Sequence, residues 1–309
     1  MRESESEPAG RARRHRFDDD EPHYLKRFPR SGPEATGIDA LDAPETGDRW
    51  STWDVSTAGE RGPAPYPDWL VTELAAVDTE LGVVKTGKEA DVDLIRRGVP
   101  GTDRSCLLAA KRYRSNEHRM FHRDAGYLEG RRVRESRTNR AMGKRTGFGR
   151  DMIAGQWAAA EFGALYRLWE LGQELGTRIV PYPVQLTGTE LLLEFLGTPD
   201  GAAAPRLAQL RPEPGELTDL WAQLVDALSL LARCGLAHGD LSPYNILVHD
   251  GQLVLIDLPQ VVDVVANPRG PEFLARDVRN VAGWFAQRGQ PDIDAAELTA
   301  DLLREVGMR

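Results

Sequence analysis

Two patterns of apolar residues dominate the first half of the chain. In residues 67–82, PDWLVTELAAVDTELG, apolar positions recur at helical spacing behind Asp68, a residue type that often caps a helix, and predict a helix that begins the folded region. The segments GVVKTGKEADVDLIRRG, at 82–98, and SCLLAAKRYR, at 105–114, have short apolar runs around a turn at Gly87. They predict a strand, a turn and two further strands.

A longer helix and a pair of strands are predicted next. Residues 151–172, DMIAGQWAAAEFGALYRLWELG, carry an apolar stripe at helical offsets, and Glu161 lies beside it. The stripe consists of Trp157, Phe162, Leu165, Leu168 and Trp169. The segments RIVPYPVQL, at 178–186, and ELLLEFLG, at 190–197, then predict two strands. Strands and helices in this order indicate an α+β fold.

Residues 1–65 show no sustained periodicity. They are rich in Glu, Asp, Arg, Gly and Pro, a composition that cannot bury enough apolar surface to offset chain entropy. We predict a disordered charged tail here, in which Trp50 and Trp53 form a short anchor. The basic cluster RARRHR, at 11–16, is interpreted as solvated, with an RNA or acidic partner as the alternative.

Composition narrows the class of protein. A net charge of -9 over 309 residues argues against a general nucleic-acid coat. No apolar run reaches the ~18 residues needed to span a bilayer, and the N-terminus lacks the apolar region of a secretory signal. Cys106 and Cys234 are interpreted as buried free thiols rather than a disulfide. These features predict a cytoplasmic protein without a membrane partner.

The stretch GLAHGDLSPYNILVHDGQLVLIDLPQ, at 235–260, carries the strongest chemical signal. Asp240, Asn245 and Asp257 lie beside aliphatic runs, where polar groups are costly unless something pairs with them. In protein kinases an Asp lies near the acceptor hydroxyl, an Asn five residues later binds metal, and a second Asp after a hairpin holds that metal. The spacing fits this scheme, with His238 bracing the loop. A chance polar hairpin is the alternative.

The first half of the chain supplies nucleotide-binding elements in the order of a kinase small lobe. A turn around Gly87 can cradle phosphates, and Lys111 on the following strand would pair with Glu161 on the helix to hold ATP phosphates. Each signal is weak alone, and their order carries the interpretation. The predicted nucleotide-binding residues are Thr86, Gly87, Lys88, Glu89, Lys111, Glu161, Asn245 and, through the backbone of an adenine-binding hinge, Glu194 and Leu196.

Four ordered motifs resemble the RIO family of atypical serine/threonine protein kinases. TGKEADV is similar to the family's phosphate loop STGKEANV, and HGDLSPYNIL to its catalytic loop HGDLSEYNIL. IDLPQ, at 256–260, resembles its metal loop, and EFLARDVRNVAGWF, at 272–285, a late helix. The motifs cover most of residues 80–290 and are most similar to the first RIO subfamily.

The resemblance implies an enzyme that uses ATP with Mg²⁺, or Mn²⁺ as the alternative ion. It implies Asp240 and Asp257 as catalytic residues, and Asn245 and Asp257 as metal ligands. Departures from the family pattern include three near the proposed site: Asp91 replaces an Asn, Asp93 a bulky residue, and Pro243 an acidic residue. None of the three removes a metal ligand, so an active enzyme is expected rather than a pseudokinase.

We expect a two-lobed protein-kinase-like fold behind the tail at 1–65. The small lobe would span 66–196, with the N-terminal helix and a basic insert at 112–150, and the large lobe 197–309. Because only a short connection separates Asp257 from the next helix, the large lobe should be compact and lack the usual activation segment.

The insert is strongly basic within an acidic chain, which predicts a contact with RNA or a ribosomal particle, with a solvated loop as the alternative. Its basic cluster consists of Arg131, Arg132, Arg134, Arg137, Arg140, Lys144 and Arg145.

Two functions from different classes fit this sequence. One is a serine/threonine protein kinase that phosphorylates a protein substrate or itself. The other is an ATPase switch in ribosome or RNA-particle assembly, in which Asp257 carries a transient aspartyl-phosphate, as the resemblance implies. A small-molecule phosphotransferase is disfavoured because IDLPQ and TGKEADV point elsewhere.

Overall fold

The computed structural model of the chain describes residues 43–114 and 147–308, with the backbone alone for 147–152. All of these residues lie within one compact unit, Ala35–Arg309. No described helix is both long enough and apolar enough to cross a membrane. The basic cluster of the predicted insert lies outside the described residues, as does the RARRHR cluster.

Six strands form one antiparallel sheet in the order β1-β2-β3-β4-β6-β5. The predicted strand, turn and two strands correspond to β2, β3 and β4, and the predicted strand pair to β5 and β6, so both predictions are confirmed. The strands are β1 (Arg49–Trp50), β2 (Val77–Thr86), β3 (Ala90–Gly98), β4 (Ser105–Tyr113), β5 (Pro183–Thr187) and β6 (Glu190–Glu194).

The long helix α1 (Gly147–Leu175) packs against this sheet. It confirms the predicted helix at 151–172 and extends it at both ends. Phe162, Leu165 and Leu168 of the predicted stripe are buried, and they belong to the same apolar core as Leu191 of β6. The stripe thus holds α1 on the sheet because burial of its apolar side chains is favourable.

The register of the central strands decides which side chains share a face of the sheet. Val92 of β3 is paired with Lys85 of β2 and with Lys111 of β4, and Lys111 is paired with Leu191 of β6. Directly paired residues of antiparallel strands project from the same face. Lys85, Val92 and Lys111 therefore form one row on the face that α1 covers.

The last part of the described chain, from residue 197 on, contains three helices joined by loops and short strands. The hairpin β8–β9 and an antiparallel pair of two short strands distant in the chain, β7 and β10, lie among its helices. A shared core of leucine, valine and alanine side chains joins these elements. The elements are α2 (Pro214–Arg233), β7 (Leu236–Ala237), β8 (Ile246–His249), β9 (Gln252–Leu255), β10 (Val262–Asp263), α3 (Gly270–Ala286) and α4 (Ala295–Glu305), with short 3-10 turns at Ala58–Glu60, Leu207–Gln209 and Pro243–Asn245.

The helix predicted at 67–82 is wrong. Residues 67–76 form turns and irregular backbone, and Val77 begins β2, whose pairing with β3 overrides the local helical pattern. Asp68 caps no helix there; its carbonyl oxygen accepts a hydrogen bond from Arg104 at 3.1 Å. The apolar residues Leu70 and Val71, which suggested a helix face, are instead buried in the core of the protein.

The boundary of the predicted tail at residue 65 is also wrong. Trp53 is only 3% exposed and packs with Leu70 and Ile95, and β1 pairs with β2. Arg61 lies over the Trp53 ring, 5.1 Å from its centroid, and its guanidinium donates to the Trp53 carbonyl at 2.6 Å. Residues 43–65 therefore belong to the folded region, because Trp53 packs in the core and β1 pairs with the sheet, whereas Trp50 of the predicted anchor is 45% exposed.

Candidate active site

The loop at 238–245 follows the short strand β7 and depends on Gly239. This glycine has φ of 85°, and a Cβ atom there would lie 2.1 Å from the carbonyl oxygen of Gln260. A side chain at this position would therefore collide with the backbone that follows Asp257. The glycine lets the 238–245 loop pass close against the loop at 256–260.

Three residues of α3 fix the 238–245 loop. The buried carboxylate of Asp277 accepts the backbone N–H of Gly239 at 2.7 Å and that of Leu241 at 3.0 Å. Asn280 donates to the Leu241 carbonyl at 3.1 Å, and Arg276 donates to the Gly239 carbonyl. Burial raises the pKa of Asp277, although the His238 ring and the two N–H donors partly offset the effect.

The backbone orients Asp240 and Asn245. The Asn245 side-chain nitrogen donates to the Asp240 carbonyl at 2.9 Å, which leaves the amide oxygen of Asn245 for another partner. The Asn245 carbonyl in turn accepts the N–H of Ile256 at 3.0 Å, so this residue lies beside the start of the 256–260 loop. Within residues 43–114 and 147–308, no protein group donates to the half-buried Asp240 carboxylate.

Asp257 is held in an unusual backbone conformation. Its φ is 67°, in the left-handed region that side chains other than Gly, Asn and Asp seldom adopt. Such a conformation persists only where the surroundings hold it, and it is frequent at functional sites. The side chain of Asp257 keeps 36% of its surface exposed, so an additional ligand can reach the carboxylate.

Lys111 joins two carboxylates from different parts of the fold. Its Nζ donates to Glu161 of α1 at 2.8 Å and to Asp257 at 2.7 Å. The predicted pairing of Lys111 with Glu161 is therefore present. Tyr113 donates its hydroxyl to the same Glu161 carboxylate, and the pKa of this tyrosine is raised by burial and by the neighbouring charge. The 2.7–2.8 Å distances are those of charge-assisted hydrogen bonds.

Mutual attraction keeps the Lys111–Asp257 pair ionised. Burial alone would lower the pKa of Lys111, but Glu161 and Asp257 outweigh it and raise the pKa above its ordinary value. Burial would likewise raise the pKa of Asp257, yet Lys111 lowers that pKa to about 2. At neutral pH, Asp257 is an anion and therefore suits a hard divalent cation.

The structure places the remaining predicted residues around this centre. His238 contacts the Ile256 carbonyl through Nε2 at 3.0 Å, as expected for a brace between the two loops. Thr86 is the last residue of β2, and Lys88 and Glu89 follow in the β2–β3 turn with Gly87, whose N–H donates to the Ala90 carbonyl at 3.0 Å. A Cβ atom on Gly87 would approach that carbonyl oxygen to 2.8 Å, so the tight turn requires glycine.

The predicted hinge residues lie at the end of β6. The Glu194 N–H donates to the Tyr182 carbonyl at 2.9 Å, and the Leu196 carbonyl accepts the Ala204 N–H at 2.9 Å. The Glu194 side chain also pairs with Arg178 at 2.7 Å. An adenine would therefore have to use the other backbone groups, the Glu194 carbonyl and the Leu196 N–H.

The donors at this centre fit Mg²⁺ with a nucleotide. Asn245 and Asp257 offer an amide oxygen and a carboxylate, the oxygen ligands that Mg²⁺ prefers, and phosphates with water would complete its shell. Across the described ranges no group of three His, Cys, Asp or Glu side chains could hold a metal by itself. A site completed by substrate phosphates agrees with that finding.

Sequence reasoning missed the residues of α3 that hold the loop. The motif EFLARDVRNVAGWF was recognised, but Arg276, Asp277 and Asn280 received no role. A signal existed, because Asp277 lies among the apolar residues of α3 that face the core, such as Leu274 and Val278. A charged residue in such a stripe requires a partner.

The trio of Lys111, Glu161 and Asp257 lies beside the 238–245 loop, which α3 holds in place. This is the arrangement of a protein-kinase-like fold. A family model described as the RIO domain matches residues 106–298. The chain therefore belongs to the RIO domain family, which confirms the resemblance of the four motifs.

Curated relatives share this assignment. The chain is 36% identical over 214 residues to the RIO-type serine/threonine-protein kinase Rio1 of Haloferax volcanii, covering 69% of this chain and 65% of the relative. It is 35% identical over 218 residues to the serine/threonine-protein kinase RIO1 of Caenorhabditis elegans, covering 70% of this chain and 39% of the relative. Similarity to human RIO3 covers 44% of the chain. The chain thus spans less than two thirds of the length of these relatives. The matches to Rio1 and RIO1, which cover more of the chain than the match to RIO3, agree with the first RIO subfamily.

Proposed function

We propose that the chain is a serine/threonine protein kinase of the RIO type, which uses ATP with Mg²⁺ and phosphorylates a protein substrate or itself. The observation that carries the proposal is the position of Lys111 between Glu161 and Asp257, beside the 238–245 loop. Relatives named serine/threonine-protein kinases support it.

Each residue has a proposed role. Lys111, oriented by Glu161, holds phosphate oxygens of ATP, and the amide oxygen of Asn245 and the carboxylate of Asp257 hold Mg²⁺, which neutralises phosphate charge when bound. Asp240 accepts the proton of the acceptor hydroxyl. The hydroxyl oxygen bonds to the terminal phosphorus of ATP while the bond between that phosphorus and the ADP oxygen breaks. The Asp240 carboxylate is suited to this role because no protein group within the described ranges donates to it.

The further binding contacts are proposals as well. Thr86 at the end of β2 and Lys88 and Glu89 in the following turn would contact phosphates through backbone amides, and Gly87 would shape this turn for them. The Glu194 carbonyl and the Leu196 N–H would contact adenine. The small lobe would extend from the first described residues to 196, and a compact large lobe without the usual activation segment would occupy 197–309. We place the protein in the cytoplasm.

A second function is favoured by the segment between Asp257 and α3. Residues 258–269 are short, and Val262 and Asp263 are tied to β7, so this part of the chain offers little surface to an extended peptide. The alternative is an ATPase switch in ribosome or RNA-particle assembly. In that switch the Asp257 carboxylate attacks the terminal phosphorus, ADP leaves, and water later hydrolyses the aspartyl-phosphate.

One labelling experiment separates the two functions. The purified chain is incubated with Mg²⁺ and ATP labelled at the terminal phosphate, and labelled protein, free phosphate and labelled small molecules are measured. If the chain is a protein kinase, the label should be on Ser or Thr and resist hydroxylamine. If it is an ATPase switch, the protein label should be sensitive to hydroxylamine and free phosphate should form. If neither label nor phosphate forms while a folded protein is present, both proposals are wrong.

The basic insert supports a proposed RNA or ribosomal-particle partner. Its cluster lies outside the described residues, so the proposal rests on charge alone. Replacing Arg131, Arg132 and Arg134 by Ser should weaken RNA binding and reduce its salt dependence, because fewer phosphate contacts release fewer counterions. An unchanged affinity and an unchanged salt slope would make the insert a solvated loop.

A further inference from the structure

Lys85 and Lys111 point into the same space below the sheet. Both are paired with Val92, Lys85 from β2 and Lys111 from β4, so their side chains project from one face. Two strand spacings separate them, or about 10 Å between their Cα atoms. Each side chain is long enough to reach toward the other, so one extended anion could contact both.

Arg206 approaches the same space from the other side. It follows the hinge and forms an isolated bridge with Leu247 of β8, two residues after Asn245. Its charge is close enough to Lys85 to be, after burial, the second largest cause that lowers the pKa of Lys85. Asp257 and, to a smaller extent, Glu89 attract Lys85, and Lys111 repels it, so these charged groups act within one region.

Lys85 in the sheet and Arg206 outside it differ from the paired basic residues around them; Arg96 of β3 has no ion pair in the described residues either, but it is exposed. Within the described ranges, neither Lys85 nor Arg206 has an ion-pair partner, although both are partly buried and repel each other. Asp257 is already paired with Lys111 and affects Lys85 less than Arg206 does, so a further anion would relieve the repulsion between these like charges. The paired basic residues in or next to the sheet are Arg49 with Glu190, Arg97 with Asp78, Arg112 with Glu80, Asp93 and Glu190, and, directly after β4, Arg114 with Asp91.

Lys85 is also a departure of this chain from its family. The family's phosphate loop STGKEANV has Ser where this chain has Lys85, directly before the shared Thr86 and Gly87. A bulge in β2 between Val83 and Lys85 shifts the register immediately before this residue. Bulges often redirect a side chain toward a site.

We propose that Lys85 and Arg206 form a second cationic pair that binds the phosphate groups of the nucleotide together with Lys111. The pair adds preference for nucleotides with more phosphates. The proposal rests on the proposed function, because it places a nucleotide in the space that Lys111 and Asp257 border.

The test measures nucleotide affinity rather than turnover. Dissociation constants for ATP, ADP, AMP and adenosine are determined by calorimetry, with Mg²⁺ present, for the wild type and for Lys85→Ser, Lys85→Met, Lys85→Arg and Arg206→Gln. Loss of one charge-assisted contact should weaken ATP binding about tenfold. The loss should shrink from ATP to ADP to AMP and vanish for adenosine, and Lys85→Arg should keep most of the ATP affinity.

Matched controls remove an exposed cation elsewhere. Arg96→Gln, on β3, and Arg211→Gln, shortly after Arg206, should leave the whole series unchanged because both residues are exposed. Lys85→Met keeps the aliphatic stem, so it separates lost charge from lost packing.

Three results would overturn the inference. Equal losses for adenosine and ATP would mean a packing role, and unchanged ATP affinity in Lys85→Ser and Arg206→Gln would mean that the pair binds no phosphate. In both cases a wild type that binds ATP leaves the proposed function standing. A folded wild type that binds no nucleotide would overturn the proposed function together with the pair.

Discussion

The carboxylate of Glu161 accepts the backbone N–H of Leu258 at a distance of 2.9 Å. The same carboxylate accepts Lys111, whose Nζ also contacts Asp257. One glutamate on α1 thus holds both the lysine of the sheet and the residue directly after Asp257. A displacement of α1 would therefore disturb the cation and the proposed metal ligand together.

Removal of Lys111 tests the network of Lys111, Glu161 and Asp257. We expect Lys111→Ala to lower ATP turnover by ~10² or more, because the phosphates lose a positioned cation. Glu161→Ala should cause a similar loss, and the double variant should be little worse than either single one, since residues of one network are not additive. Turnover of labelled ATP measures the effect, and thermal unfolding verifies the fold. Full turnover by folded Lys111→Ala would contradict the role of the trio.

Asp257 should determine the response to metal. In Asp257→Asn the side chain keeps its size and tolerates the positive φ, but it loses the charge that binds Mg²⁺. We expect metal-dependent turnover to disappear over the Mg²⁺ range that saturates the wild type. The matched control is Asp250→Asn, another aspartate with positive φ, which lies exposed in the β8–β9 turn. Equal titrations for Asp257→Asn and wild type would exclude this ligand role.

The same aspartate should make the stability of the fold decrease as the pH falls into the acid range. Its pKa falls from an ordinary value of 3.8 to about 2 through Lys111, although burial acts in the opposite direction. A lowered pKa means that the folded state gains stability above about pH 4 and loses it as the pH falls toward 2. Denaturant unfolding between these values should show a steeper decline for the wild type than for Asp257→Asn. Parallel curves would mean that the Lys111 contact adds nothing measurable.

Asp240 should govern the chemical step. Asp240→Asn keeps the shape but removes the proton acceptor, a contribution typically worth ~10²–10⁴ in rate. ATP affinity should change little, because Asp240 is assigned to the acceptor hydroxyl. In a kinase the hydroxylamine-resistant label should disappear, whereas in the switch the aspartyl-phosphate should persist longer or fail to form. Wild-type labelling and hydrolysis in this variant would refute both functions.

Asp277 should act through the 238–245 loop without touching substrate. Asn in its place offers one acceptor oxygen, so the N–H of either Gly239 or Leu241 loses its partner. We expect the kcat of Asp277→Asn to fall about 10² through misplacement of Asp240, with a nearly unchanged KM for ATP. The control is Asp301→Asn on α4, where the side chain is half exposed and far from the loop in sequence. A purely structural role would lower stability while the remaining folded enzyme kept its kcat.

Local spacing determined much of what the sequence revealed. Strands β2 to β6 and helix α1 follow from short apolar runs and a helical stripe, and Asp240, Asn245 and Asp257 from fixed offsets around a hairpin. These features are visible because period and spacing are properties of neighbouring residues. The pairing of Lys111 with Glu161 could be inferred only from the order of the motifs.

Only the tertiary structure decided the features that depend on distant partners. The helical pattern at 67–82 lost to pairing with β3, and residues 43–65 became ordered because Trp53 found a core built from later strands. The clamp of Asp277 on Gly239 and the approach of Arg206 to Lys85 join residues far apart in the chain. These relationships depend on long-range pairing and burial. Local periodicity cannot identify the partners, because it reports only how neighbouring residues are arranged.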